Sequence, residues 1–164
     1  MGAQPALARD PAPEVRARLE GILAQVADPE IPVLSVLDLG VIRHLRYRPD
    51  GRLEVGVAPT YSGCPATAVI KADVLRALES AGFPAVAVDV LSPPWSSDWL
   101  SEAGRRKLAA FGIAPPGRRG SGPAACPRCG SADVERVSEF GSTPCKALYR
   151  CGACLEPFDY FKCL

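Results

Sequence analysis

Four cysteines toward the C-terminal end stand in two close pairs, Cys126-Pro127-Arg128-Cys129 and Cys151-Gly152-Ala153-Cys154, separated by 21 residues. A C-x-x-C pair curls its own backbone so that N–H groups point at the sulfurs. Two such pairs offer four thiolates to one tetrahedral Zn²⁺. Paired redox motifs are the competing chemistry, but the βαβ setting that goes with them is missing. A segment as short as 126–164 cannot bury a core of its own, so metal binding would supply much of its folding free energy. The expectation is a structural zinc ribbon with Cys126, Cys129, Cys151 and Cys154 as ligands.

Cys64 sits in different company, in Thr60-Tyr61-Ser62-Gly63-Cys64-Pro65. Before it, Leu53, Val55 and Val57 alternate with Arg52, Glu54 and Gly56, the period of a half-buried strand. After it, Ala66, Val69, Ile70, Val74, Ala77, Leu78 and Ala81 share one face of a helix, with Pro65 suited to its first position and Gly82 to its end. Cys64 is therefore expected at a strand-to-helix elbow. There the free N–H groups and the helix dipole favour a thiolate and can lower a thiol's pKa. The competing reading is a small buried thiol beside a glycine turn.

Two more cysteines, Cys145 and Cys163, flank the second knuckle. If 146–150 and 156–162 form a hairpin about it, Cys145 comes near Cys163. They are then either a thiol pair for a labile disulfide, a second metal or persulfide handling, or two packing residues. His44 is the only histidine. Every histidine-dependent nucleophile or metal site would have to use it, and its place within a strand pattern favours a surface or satisfied role.

The elements that must position these groups can be read in order. Val15, Leu19, Ile22, Leu23 and Val26 make a helical stripe from Pro13 to Val26, ended by Asp28-Pro29-Glu30-Ile31-Pro32. Val41–Tyr47 and Arg52–Ala58 read as a hairpin about Pro49-Asp50-Gly51. The elbow helix follows, then a strand marked by Val86, Val88 and Val90, parallel to the one before it. A last helix runs from about Asp98 to Phe111, with Trp95 and Trp99 as packing residues. The expected fold is α+β: a compact two-layer domain over 13–112, a Pro/Gly-rich linker over 113–125 and a zinc ribbon over 126–164.

Totals restrict the function. The net charge of +1 over 164 residues speaks against a protein devoted to nucleic acid. In the ribbon, Arg128, Arg136, Lys146, Arg150 and Lys162 are offset by Asp133, Glu135, Glu139, Glu156 and Asp159, so a nucleic-acid-binding ribbon is the weaker alternative. Met1–Pro13 has no signal-peptide order, no 18-residue apolar run exists, and the C-terminus is no prenylation box. A cytoplasmic chain with no membrane partner is expected. Its seven cysteines then point to metal or thiol chemistry before disulfides. A carboxylate-bridged di-iron site wants Glu and Glu-x-x-His on facing helices, and one histidine cannot supply it, so no catalytic residue for oxygen chemistry is assigned.

Asp28-Pro29-Glu30-Ile31-Pro32, Asp38-Leu39-Gly40-Val41-Ile42, Gly63-Cys64-Pro65 and Ser92-Pro93-Pro94-Trp95 together resemble the MIP18 (DUF59) family over roughly residues 13–112. That resemblance implies iron–sulfur cluster assembly, with Cys64 as the working thiol, Asp38 at the acidic turn position nearby, and transient iron or an iron–sulfur cluster as cargo. The ribbon motifs Phe140-Gly141-Ser142-Thr143-Pro144-Cys145 and Glu156-Pro157-Phe158-Asp159-Tyr160-Phe161-Lys162-Cys163 are similar to the PaaD (PaaJ) family. This implies an accessory protein of the multicomponent phenylacetyl-CoA epoxidase that serves its di-iron or iron–sulfur centres. The implied partners are the di-iron oxygenase subunits or the iron–sulfur reductase. A stable structural subunit of the complex is the alternative, and Cys64→Ser separates the two.

Overall fold

The computed structural model describes residues 8–61, 63–117 and 121–162. The chain separates into two compact units, residues 1–94 and 95–164.

In the first unit, helix α1 (Pro13–Leu23) opens with proline at its start and buries Leu19 and Leu23, one turn apart. Each such leucine contributes roughly 1.5–3 kcal/mol by leaving water. The helix stops earlier than Val26 because the next residues have other bonds to make: the Val26 carbonyl accepts from Val36 N–H at 2.9 Å. The loop that follows is shaped by two buried aspartates. Asp28 Oδ1 accepts from the N–H groups of Glu30 (2.8 Å) and Ile31 (2.7 Å). Asp38 Oδ2 accepts from Ser35 N–H at 2.9 Å, while Ser35 Oγ accepts from Asp38 N–H at 3.1 Å.

Strand β1 (Ile42–Tyr47) pairs antiparallel with β2 (Leu53–Val57), with Tyr47 opposite Leu53 and Ile42 opposite Val57. Gly51, at φ 84°, makes the turn possible. Helix α2 (Ala66–Ser80) buries Ala66, Ile70, Val74 and Leu78, a spacing of four that keeps them on one stripe. Val69 falls outside that stripe and is 46% exposed, contrary to its expected place on the buried face. Strand β3 (Ala85–Asp89) then lies parallel to β2, so the sheet runs β1-β2-β3.

The second unit starts before the expected linker. A 3₁₀ turn, Ser97–Trp99, is capped by Ser96 Oγ, and helix α3 (Glu102–Ala110) by Ser101 Oγ, which accepts from Gly104 N–H at 2.9 Å. Trp95 is 5% exposed and meets Phe161 edge-to-face at 6.0 Å, a packing role. After α3, Ile113–Ala114 forms β4 and joins β7 (Pro157–Phe161) in parallel. Antiparallel β6 (Lys146–Cys151) and β5 (Val134–Ser138) complete the order β4-β7-β6-β5. The helix assigned from sequence to the first domain thus lies in the second unit, and the segment read as a linker from 113 begins as a strand. Arg105 fixes this arrangement by donating to the carbonyls of Pro116 (2.8 Å) and Ser97 (3.1 Å). No helix among the described residues is long and apolar enough to cross a membrane.

Candidate metal and thiol sites

In the second unit the two knuckles have the same backbone. Gly130 N–H donates to the Cys126 carbonyl (2.9 Å) and Cys126 N–H to Ser131 O (2.8 Å). Leu155 N–H donates to the Cys151 carbonyl (3.1 Å) and Cys151 N–H to Glu156 O (3.1 Å). Each loop aims an amide at sulfur: Arg128 N–H at Cys126 Sγ (3.4 Å), Cys154 N–H at Cys151 Sγ (3.5 Å). Gly152 leaves room beside them for the Asp133 carboxylate, which any side chain there would have to displace.

The four sulfurs lie within 4.8 Å of one another, with Cys126–Cys154 at 3.8 Å and Cys129–Cys151 at 3.5 Å. Sulfurs about 2.3 Å from a central zinc would stand about 3.8 Å apart. The donor set and its spacing therefore fit tetrahedral Zn²⁺. The electrostatics agree. The Cys151 thiol is held at about 7, chiefly by the N–H of Cys154. At Cys154 the Glu156 amide favours the thiolate, but burial and the neighbouring sulfurs outweigh it and push the thiol up to about 12. Four thiolates this close need a cation between them, and a coordinated metal removes the protons outright. Cys126 and Cys151 are buried and close the hydrophobic cluster of Ala147, Phe158 and Tyr160.

Cys145 is 6% exposed, with the Thr143 hydroxyl 3.1 Å from its sulfur. Lys146 pairs with Phe161, and the Cys145 carbonyl accepts from Lys162 N–H at 3.0 Å, so the register sets Lys162 opposite Cys145. Cys163, its expected partner, lies outside the described residues.

In the first unit, Gly63 (φ 78°) makes the elbow turn and Cys64 N–H donates to the Tyr61 carbonyl at 3.2 Å. Pro65 occupies the capping position rather than the first helical one, and among the described residues no side chain caps α2. Cys64 itself is partly exposed. Two backbone bonds locate the elbow: Ala58 N–H donates to Val41 O (2.8 Å), and Val90 N–H to Val57 O (2.8 Å). The Asp38 turn enters β1, the elbow leaves β2 and the Ser92-Pro93-Pro94 segment leaves β3, all at the same end of the sheet. Three motifs far apart in sequence thus emerge at one end of the sheet.

His44 does not join them as a ligand. Its Nε2 stands 3.0 Å from Glu54 Oε1, which also accepts from Arg46 Nε at 2.8 Å. The ring lies over Gly56, where a Cβ would overlap it. Burial raises the Glu54 carboxyl, but Arg46 and His44 outweigh that and hold it below its ordinary range. This ion cluster escaped the sequence reading. Its only signal is the hairpin register, which sets His44 opposite Gly56 and Arg46 opposite Glu54.

Residues 16–90 match the family of iron–sulfur cluster assembly proteins, and residues 115–162 match the PaaD zinc beta ribbon domain. The solved structure of a DUF59 domain from Bacillus anthracis, 24% identical, covers 56% of this chain and 89% of its own with a TM-score of 0.51, which shows the shared fold. The Fe-S protein maturation auxiliary factor YitW of Bacillus subtilis (strain 168) is 32% identical over 60% of this chain and 95% of its own. A protein of Escherichia coli (strain K12), provisionally described as one of the subunits of 1,2-phenylacetyl-CoA epoxidase, is 45% identical over 87% of this chain and 90% of its own. With that extent of identity, and with the PaaD zinc ribbon following the iron–sulfur assembly domain in this chain, the chain belongs to the PaaD family of phenylacetyl-CoA epoxidase subunits.

Proposed function

We propose that the protein is an accessory factor of a phenylacetyl-CoA epoxidase system, assembling or maintaining one of its metal centres through Cys64. The observation that carries this reading is the union, in one chain, of an iron–sulfur-assembly domain bearing Cys64 on its elbow with the zinc ribbon of the PaaD family. Its partners are the di-iron oxygenase subunits or the iron–sulfur reductase, and it works in the cytoplasm. Zinc, held by Cys126, Cys129, Cys151 and Cys154, stabilises the ribbon and takes no part in the transfer. Iron or a cluster is cargo. The Cys64 thiol gives up its proton on binding it and regains one when the recipient's ligands displace the sulfur, a ligand exchange without net electron transfer. Cys64 stands partly exposed just before α2, within reach of a cargo, and the buried Ser35–Asp38 turn fixes its loop at the same sheet end.

The test is zinc, iron and acid-labile sulfide content of the protein purified without oxygen, beside epoxidase activity of cells carrying Cys64→Ser. About one zinc per chain, plus iron that the substitution abolishes together with activity, is the expected result. Full activity in Cys64→Ser sinks the thiol role and leaves a structural subunit.

A further inference from the structure

On the zinc-bearing face of the second sheet is a cleft that neither the zinc nor the elbow uses. Its volume is about 200 Å³, room for about six waters at ~30 Å³ each. Tyr149, Tyr160 and Ala147 line it, with the charged Arg136, Glu139 and Lys162. Arg136 pairs across strands with Tyr149, and Ala147 with Tyr160. The two tyrosine rings meet edge-to-face at 5.4 Å. The cleft is thus built on paired rungs of three strands.

Two other cations of the same sheet are matched by acids. Arg150 is matched by Glu135 at 2.7 Å, and buried Lys146 by Asp159 at 3.5 Å. The Arg136 side chain has no hydrogen bond or ion pair among the described residues. Lys162 Nζ donates to the backbone carbonyl of Glu139 at 2.7 Å and stands 4.2 Å from the centre of the Phe140 ring, and neither contact neutralises it. Two cations and one carboxylate leave the cleft one positive charge in excess. Beside it in the chain, Val137 and Phe140 are 57% and 61% exposed. They lie at and just beyond β5, the edge strand, where the pairing is irregular between Arg136 and Ser138. That irregularity and the adjacent charges discourage strand addition, so recognition there rests on side chains.

We propose that this cleft docks an acidic segment of the epoxidase partner, one carboxylate side chain entering beside Arg136 and Lys162 while apolar neighbours rest on Val137 and Phe140. The identity of the partner rests on the function proposed above. The class of occupant rests on charge. A single carboxylate brings the cleft to neutrality, whereas a phosphate dianion overshoots and meets Glu139. A nucleic-acid backbone would need a longer basic surface than two cations beside Glu139 supply.

The test is binding of the zinc-loaded full chain to the purified oxygenase and reductase components, followed by biolayer interferometry. Arg136→Glu with Lys162→Glu should weaken binding about tenfold or more and flatten its salt dependence. Arg150→Glu, on the opposite face, should not. Zinc content and melting temperature verify folding, and Arg136→Gln with Phe140→Ser serves if the double reversal is unstable. Unchanged affinity in folded variants, or no binding by the wild type, overturns the docking site. So does displacement of the partner by inorganic phosphate or an oligonucleotide rather than by a glutamate-rich peptide. Cys64→Ser should bind normally while failing to support activity, so the thiol role and the docking site stand or fall separately.

Discussion

Leu155 holds in the second cysteine knuckle the left-handed backbone that Gly130 holds in the first, φ 64° against 80°. A non-glycine residue costs roughly 1–2 kcal/mol in that conformation. Gly130→Leu is therefore expected to destabilise the ribbon by about that amount. Leu155→Gly should be near neutral, because relief of strain is offset by roughly 0.4–1 kcal/mol of added freedom in the unfolded chain. Urea melts of the zinc-loaded protein measure both, and equal losses would refute the asymmetry.

Gly56 and His44 make a second pair of linked positions. A methyl at Gly56 has to displace the imidazole above it. Gly56→Ala should cost about 1–3 kcal/mol, and adding His44→Ala should restore most of it. A double-mutant cycle by thermal unfolding decides the matter: simple additivity would mean that the ring is not the obstacle.

The Glu54 cluster should also appear in the pH dependence of stability. The folded carboxyl lies below its ordinary value, so its stabilisation is fully present above the unfolded value of about 4.3. It is lost as pH falls through the folded value. Glu54→Gln is expected to be less stable than wild type at neutral pH, with the gap closing in acid. A gap that stays constant down to pH ~3 would remove the carboxylate from the account.

Zinc removal should unfold more than the two knuckles. Trp95 packs on Phe161, and β4 pairs with β7, so chelation should shift tryptophan emission toward that of exposed indole. Cys126→Ser should do the same while the first unit keeps its helical signal. A fragment of residues 95–164 should melt cooperatively with zinc, and one of 126–164 should not. If the shorter fragment is as stable, α3 and β4 are not part of the ribbon's fold.

The knuckles, the hairpin and the elbow helix were legible in the sequence because each has a short-range signature: cysteine spacing, a Pro-Asp-Gly turn, a four-residue apolar stripe. What was not legible depended on long-range pairing. Ile113–Ala114 is too short to show a strand period, and a run of prolines and glycines follows it, so it reads as linker until β7 is seen beside it. Counting outward from the second knuckle brings Cys163 near Cys145; the observed register sets Lys162 opposite Cys145, and Cys163 itself lies outside the described residues. Val69 read as buried because helical periodicity reports a stripe without reporting its width. The Glu54 cluster needed the hairpin register. The elbow was located correctly, but Pro65 sits one place earlier than helix-start preferences suggested.

The first sheet has one end where the Asp38 turn, the elbow and the Ser92-Pro93-Pro94 segment leave it, and an opposite end closed by the Pro49-Asp50-Gly51 turn. Variation is therefore not equally free at its two ends. Lengthening the hairpin turn is expected to alter neither the register above it nor the reach of Cys64, so that turn is the natural place to graft a fluorophore or an affinity handle. A label there would report on the protein while standing a full strand length away from Cys64.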